Sequence, residues 1–199
     1  LADFQLAEDE RREYARLIVQ ESQRLSGMIE ELLEFARSGR GQYDLSPLSL
    51  PDLAQETLES LESELADRGV RLKVQMEGEA MVLADRDKLK RVINNLVGNA
   101  GEVLSEGGEV TVTGGADEEG WLCLQDNGPG IPEEIRGRLF EPFVTAGKKT
   151  GTGLGTAICK KIIDDLGGRI WFETATGEGT AFHVRLPLAG EADDRRGGP

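Results

Sequence analysis

The sequence has 199 residues, 38% hydrophobic and 30% charged, with a formal net charge of -14. That is enough for one full domain with a real core plus an additional segment. Such acidity argues against a nucleic-acid partner, whose phosphates it repels, so any anionic ligand needs a pocket built locally from backbone N–H groups, a cation and a few Lys or Arg.

Cys123 and Cys159 are too few for a disulfide framework and read as two reduced core thiols of a cytosolic protein. No apolar run is long enough to span a bilayer, and no signal peptide is visible. The chain does not begin with Met and starts inside a helical pattern. It is therefore expected to be a piece of a longer protein, with any membrane anchor upstream.

In chain order, the first element is a long helix from about Glu8 to Ser38. Tyr14, Ile18, Glu21, Leu25, Met28, Leu32 and Phe35 follow steps of four and three, a heptad seam broken only by Glu21. Such a helix wants a partner helix, and a hairpin or dimer role is favoured over packing on its own domain. Leu1 to Leu6 read as the stub of that partner. Ser38, Gly39 and Gly41 start a linker. Pro47 and Pro51 bracket an extended piece, Leu48 to Leu50. A second helix runs from Asp52 to Arg68 and is stopped by Gly69. Val70 to Met76 and Ala80 to Ala84 are candidate strands. Asp85 can cap a third helix reaching about Leu104.

Gly107-Gly108 then turns the chain into two strands, Glu109 to Thr113 and Trp121 to Asp126. A glycine-proline loop, Asn127 to Pro132, and a short helix near Glu133 to Arg138 follow. Ala146 to Gly153 is a glycine-rich loop carrying lysines. Leu154 to Leu166 is the last helix, and Arg169 to Thr174 and Thr180 to Leu186 close the fold as a pair of strands. The tail from Gly190 is charged and expected to be disordered. Helices and strands mix without strict alternation, which points to an α+β fold.

Four places carry chemistry, the last more weakly. In the third helix, Leu89, Val92, Ile93, Leu96, Val97, Ala100, Val103 and Leu104 form a broad apolar face, while Arg91, Asn95, Asn99 and Glu102 lie opposite. Two asparagines one turn apart are poor helix formers, and their carbonyl oxygens suit a magnesium ion that also holds phosphates. Along the strand ending at Asp126, alternation puts Leu122, Leu124 and Asp126 on the inward face. An ionised carboxylate at the lip of an apolar pocket demands a donor, such as the exocyclic amine of adenine. Thr150 to Gly155 opens directly into the last helix, where glycine N–H groups and the helix N-terminus can converge on an anion, with Lys148 and Lys149 just before it. The spacing fits neither a Walker nor a Rossmann loop. Gly177 to Thr180 reads first as a hairpin turn, with a hydroxyl at Thr180 available to the pocket floor.

Together, these pieces resemble the ATP-binding domain of sensor histidine kinases, within the superfamily of gyrase, Hsp90, histidine kinases and MutL. Asn95 to Ala100 looks like the N box. Asp126 to Pro132 looks like the first glycine box, Leu139 to Phe143 the F box, Gly151 to Gly155 the second glycine box, and Gly177 to Thr180 the third. The resemblance runs from about Leu45 to Leu188, and Leu32 to Arg37 is similar to the second helix of the dimerisation hairpin.

The resemblance implies a two-layer α/β sandwich of the Bergerat type, preceded by the long helix of a helical hairpin. Residues 1–40 would be part of the dimerisation and phosphoacceptor hairpin, 41–190 the ATP-binding unit and 191–199 a disordered tail. It implies ATP and magnesium as cofactors, with Asn99 as the metal ligand. Asn95, with Lys148 or Lys149, would serve the transfer. Asp126 and Thr180 would read adenine, and Gly128, Gly130, Ile131 and Phe140 would shape its pocket. Gly151, Thr152, Gly153, Leu154 and Gly155 would hold the phosphates and hinge a short lid.

It further implies transfer to a histidine on an absent first hairpin helix and relay to an aspartate of a response-regulator receiver domain, in a cytoplasmic homodimer. The fragment alone would not autophosphorylate. The sequence departs from the family's pattern at Glu102, where Lys is common, at Thr156, where Leu is usual, and at Gly101, which loosens the helix. Asn95, where hydrolysing relatives carry Glu, favours transfer over an ATPase clamp, the second reading. A degenerate nucleotide-binding or dimerising module is the third. The only histidine, His183, reads as a surface strand residue.

Overall fold

The computed structural model describes residues 8–37, 43–145 and 152–190. The readings placed on Leu1 to Leu6, on the linker at 38–42, on Lys148, Lys149 and Gly151, and on the tail at 191–199 lie outside the described residues. The chain divides into two compact units, Leu1–Gly39 and Arg40–Pro199.

The first unit is the helix α1, Glu8–Arg37. Its side chains at Tyr14, Ile18, Leu25 and Leu32 are exposed, and so are Leu17, Val19, Ile29 and Leu33. Among the described residues, no helix is long and apolar enough to cross a membrane.

The second unit contains β1 (Ser46–Ser49), α2 (Leu50–Asp67), β2 (Arg71–Met76), β3 (Met81–Ala84), α3 (Arg86–Val103), β4 (Glu109–Ala116), β5 (Gly120–Asp126), α4 (Glu133–Arg136), α5 (Gly155–Asp165), β6 (Arg169–Ala175) and β7 (Gly179–Leu186). Five strands form one sheet in the order β2-β4-β5-β7-β6, while β1 and β3 make a separate antiparallel ribbon. Among the described residues only the β2–β4 pair is parallel, and α3 lies in the crossover it requires.

Period-two alternation sends Val110, Val112, Leu122, Leu124, Phe182, Val184 and Leu186 to one face of the sheet. There they meet the buried stripes of the three long helices: Leu53, Leu58 and Leu65 from α2, Leu89, Ile93 and Leu96 from α3, and Ile158, Ile162 and Ile163 from α5. The opposite face carries Trp121, Cys123, Trp171, His183 and Arg185, all half-buried. Cys123 is thus not a core thiol, whereas Cys159 is fully buried. His183 stacks on Trp171 at 5.0 Å on that outer face.

Helix boundaries follow their caps. α2 begins at Leu50, two residues earlier than its sequence pattern suggests, because Ser49 accepts a hydrogen bond from the Asp52 N–H and Pro51 sits in the first turn. The Asp85 carboxylate accepts the N–H groups of Asp87 and Lys88 and starts α3 as expected. Its other oxygen accepts the backbone N–H of Asp44, and the Tyr43 hydroxyl donates to Asp165 at the end of α5. Tyr43 and Asp44 therefore fasten the start of this unit to two of its helices.

Candidate functional site

α3 passes two glycine-rich places. Near its middle, Asn95 faces Gly155, the first residue of α5: a Cβ built on Gly155 would lie 3.8 Å from the Asn95 side chain. At its end, Val103 and Leu104 approach Gly128, each 3.4 Å from the corresponding position. Val103 is exposed there, not in the core as its place on the apolar face suggests. Asn99 is half-buried, one turn beyond Asn95 and between the two places. At 1.5 Å per residue, Asn95 and Val103 are about 12 Å apart along the helix. That is the length scale of a nucleoside polyphosphate.

The Gly155 end has the character of an anion site. α5 has no side-chain cap at Leu154, so its first-turn N–H groups lack the partner that Ser49 and Asp85 give α2 and α3. Among the described residues, Asn95 Nδ2 is buried without a hydrogen-bond partner. The Cys159 thiol lies beside it; burial pushes that thiol up to about 12, with Asn95 pulling more weakly the other way. Just upstream, the Thr152 hydroxyl accepts the Leu154 N–H at 3.2 Å. Gly153 lies against Phe143, whose N–H donates to the Gly153 carbonyl at 2.9 Å. Phe143 itself holds a strained φ of 67° and is 65% exposed.

The Gly128 end is built around Asp126, which is only 7% exposed. It sits on β5 directly opposite Thr180 on β7, itself 5% exposed. Asp126 Oδ1 accepts the Gly128 N–H at 2.8 Å, so the turn and the buried carboxylate are one feature. That turn is tied to the β6–β7 hairpin. The Gly177 N–H donates to the Pro129 carbonyl, the Ile131 N–H to the Thr174 hydroxyl, and Arg136 Nε to the Ile131 carbonyl. Two glycines make this approach possible. A Cβ on Gly130 would lie 2.4 Å from the Ala175 carbonyl, and one on Gly179 would lie 1.9 Å from that of Asp126. Both also have positive φ. Phe140 packs on Phe172 at 5.9 Å, within an aromatic row that continues to Phe182. Phe140 and Phe172 are half-buried, and Phe182 is buried.

The family model for "Histidine kinase-, DNA gyrase B-, and HSP90-like ATPase" matches residues 84–190. The chain belongs to this family. It is 36% identical over 189 residues to the alginate biosynthesis sensor protein KinB of Pseudomonas aeruginosa, covering 92% of this chain and 31% of that protein. Full-length ShkA in complex with AMPPNP matches with a TM-score of 0.79 at 27% identity, over 90% of this chain and 39% of that one. The histidine kinase ThkA in complex with the response regulator TrrA matches with a TM-score of 0.74 at 29% identity, over 96% of this chain and 54% of that one. The fold is that of histidine kinase catalytic domains, the mixed sheet under helices that the residue boxes imply. The chain spans less than a third of the length of KinB.

Thr174, Arg136 and Tyr43 carry no sequence motif and were not among the expected site residues. Thr174 accepts from Ile131, 43 residues away, and Arg136 donates to Thr176, 40 residues away, and only the folded register brings these pairs together. Thr156, a departure from the family's usual Leu, is buried and donates its hydroxyl to the Leu139 carbonyl at 2.6 Å.

Proposed function

We propose that the second unit binds ATP with one magnesium ion and serves as the phosphoryl donor of a sensor histidine kinase. The observation carrying this reading is the single helix α3, with an unsatisfied buried amide at the uncapped start of α5 and its far end against the Asp126–Gly130 turn. The phosphates would lie at the Asn95–Gly155 end, with Gly151, Gly153, Lys148 and Lys149 supplying N–H groups and charge. The base would lie against Asp126 and Thr180.

Among the described residues, no cluster of three or more His, Cys, Asp or Glu could hold a metal alone. That suits a magnesium ion held by one amide oxygen, Asn99, and otherwise by phosphates and water. Bound there, the ion would neutralise charge at the transferring phosphoryl group. Asn95 carries no carboxylate to activate water, which favours transfer to a side chain over hydrolysis. His183 stacks on Trp171 on the outer sheet face, which supports an acceptor histidine other than His183, on a first hairpin helix.

The exposed seam of α1 supports pairing with another helix in a homodimer, and relay would pass to an aspartate of a response-regulator receiver domain. Replacement of Asn99 by Ala is expected to abolish magnesium-dependent ATP binding in calorimetry. Unchanged affinity would refute the assignment.

A further inference from the structure

Thr174 on β6 has three polar neighbours around one hydroxyl. The Gly179 carbonyl lies at 2.8 Å, the Ile131 N–H at 3.0 Å and the Thr180 hydroxyl at 3.1 Å. A hydroxyl has one proton and two lone pairs. A carbonyl can only accept and is the nearest of the three, so the Thr174 proton goes to Gly179. Both lone pairs then accept, one from Ile131 and the other from Thr180. The Thr180 proton is thereby committed within the wall, and only its lone pairs remain for a ligand. Its direct partner across the sheet is Asp126, whose ionised carboxylate also offers acceptors alone.

We propose that Thr174 is a positioning residue that sets the hydrogen-bond polarity of the base subsite, making the Asp126–Thr180 wall acceptor-only and selecting a purine with an exocyclic amine over one with a keto oxygen. This rests on the nucleotide reading above. An amine at position 6 of the purine meets the wall with donors. A keto oxygen there opposes lone pairs to lone pairs in a buried site, which costs about as much as leaving a buried polar group unpaired.

The test is competition binding to the 199-residue chain with magnesium, comparing ADP with inosine diphosphate, which differs from it at that edge of the base. The wild-type chain is expected to prefer ADP by at least about ten-fold. Thr174→Val keeps the shape but frees the Thr180 proton to turn toward the ligand, and the preference is expected to fall several-fold. Thr174→Ser keeps the hydroxyl and is expected to retain the preference. Thr174→Cys, with a weak donor and acceptor, is expected to fall between, and it reads the same ratio if the Val variant does not fold.

A wild-type preference near one would overturn the inference and leave the nucleotide reading standing. So would a Val variant with the wild-type ratio, or a Ser variant that loses it. Failure of the wild-type chain to bind either nucleotide would overturn the nucleotide reading and this inference with it.

Discussion

At the scale of single residues, the site is set by hydroxyls and amides whose partners are distant in sequence. Thr156 illustrates the balance between family pattern and local chemistry. Its hydroxyl holds the carbonyl of Leu139 inside the protein, tying the segment before Phe140 to α5. A Val in its place keeps the volume but leaves that buried carbonyl unpaired, so Thr156→Val should cost about 1–3 kcal/mol in urea unfolding. The turn glycines and the inward Asp126 were legible in the sequence, because period-two alternation and glycine spacing are local signals. Thr174 was not. A threonine in a strand looks like any β-branched strand former, and its three partners lie on the first glycine turn and the far side of the hairpin. Gly101, which by itself loosens a helix, also has a packing role that the sequence does not show. A Cβ there would lie 2.7 Å from Leu65 Cδ2, so the glycine lets α2 and α3 pack closely.

At the scale of elements, caps decide where helices begin and how they are held. Asp85 serves both ends of its carboxylate, capping α3 and receiving Asp44. Asp85→Ala should therefore cost more than an ordinary cap, at least about 1–2 kcal/mol in denaturant midpoint analysis. Asp85→Asn should recover part of the loss. The α3 start was readable from Asp85 followed by an apolar period. The α2 start was not, because Pro47 and Pro51 look like brackets around an extended piece. Ser49 followed by a first-turn proline is in fact a helix start. The second fastening, Tyr43 to Asp165, joins positions 122 apart and left no trace in local pattern.

At the scale of the whole molecule, charge pairing on the surface gives stability a defined pH window. Lys90 and Arg86 hold the Glu56 carboxyl below its usual range, Lys73 and Arg71 do the same for Glu109, and Arg185 for Asp117. Carboxyls lowered in the folded state contribute above their unfolded values and lose that contribution as pH falls through the folded ones. Cys159 acts at the other limit. Its thiol is raised from 9.0 to about 12, so its contribution is complete below 9.0 and is lost as pH climbs toward 12. Melting temperature should thus fall below about pH 4.5 and again above about pH 9, and Cys159→Val should flatten the alkaline limb. The two-unit division has a practical corollary. A recombinant piece begun at Leu45 would sever both anchors at once, leaving the leading strand of the nucleotide unit to fray. One begun upstream of Tyr43 would keep its mooring to α3 and α5 and serve as the smaller autonomous piece for ligand work.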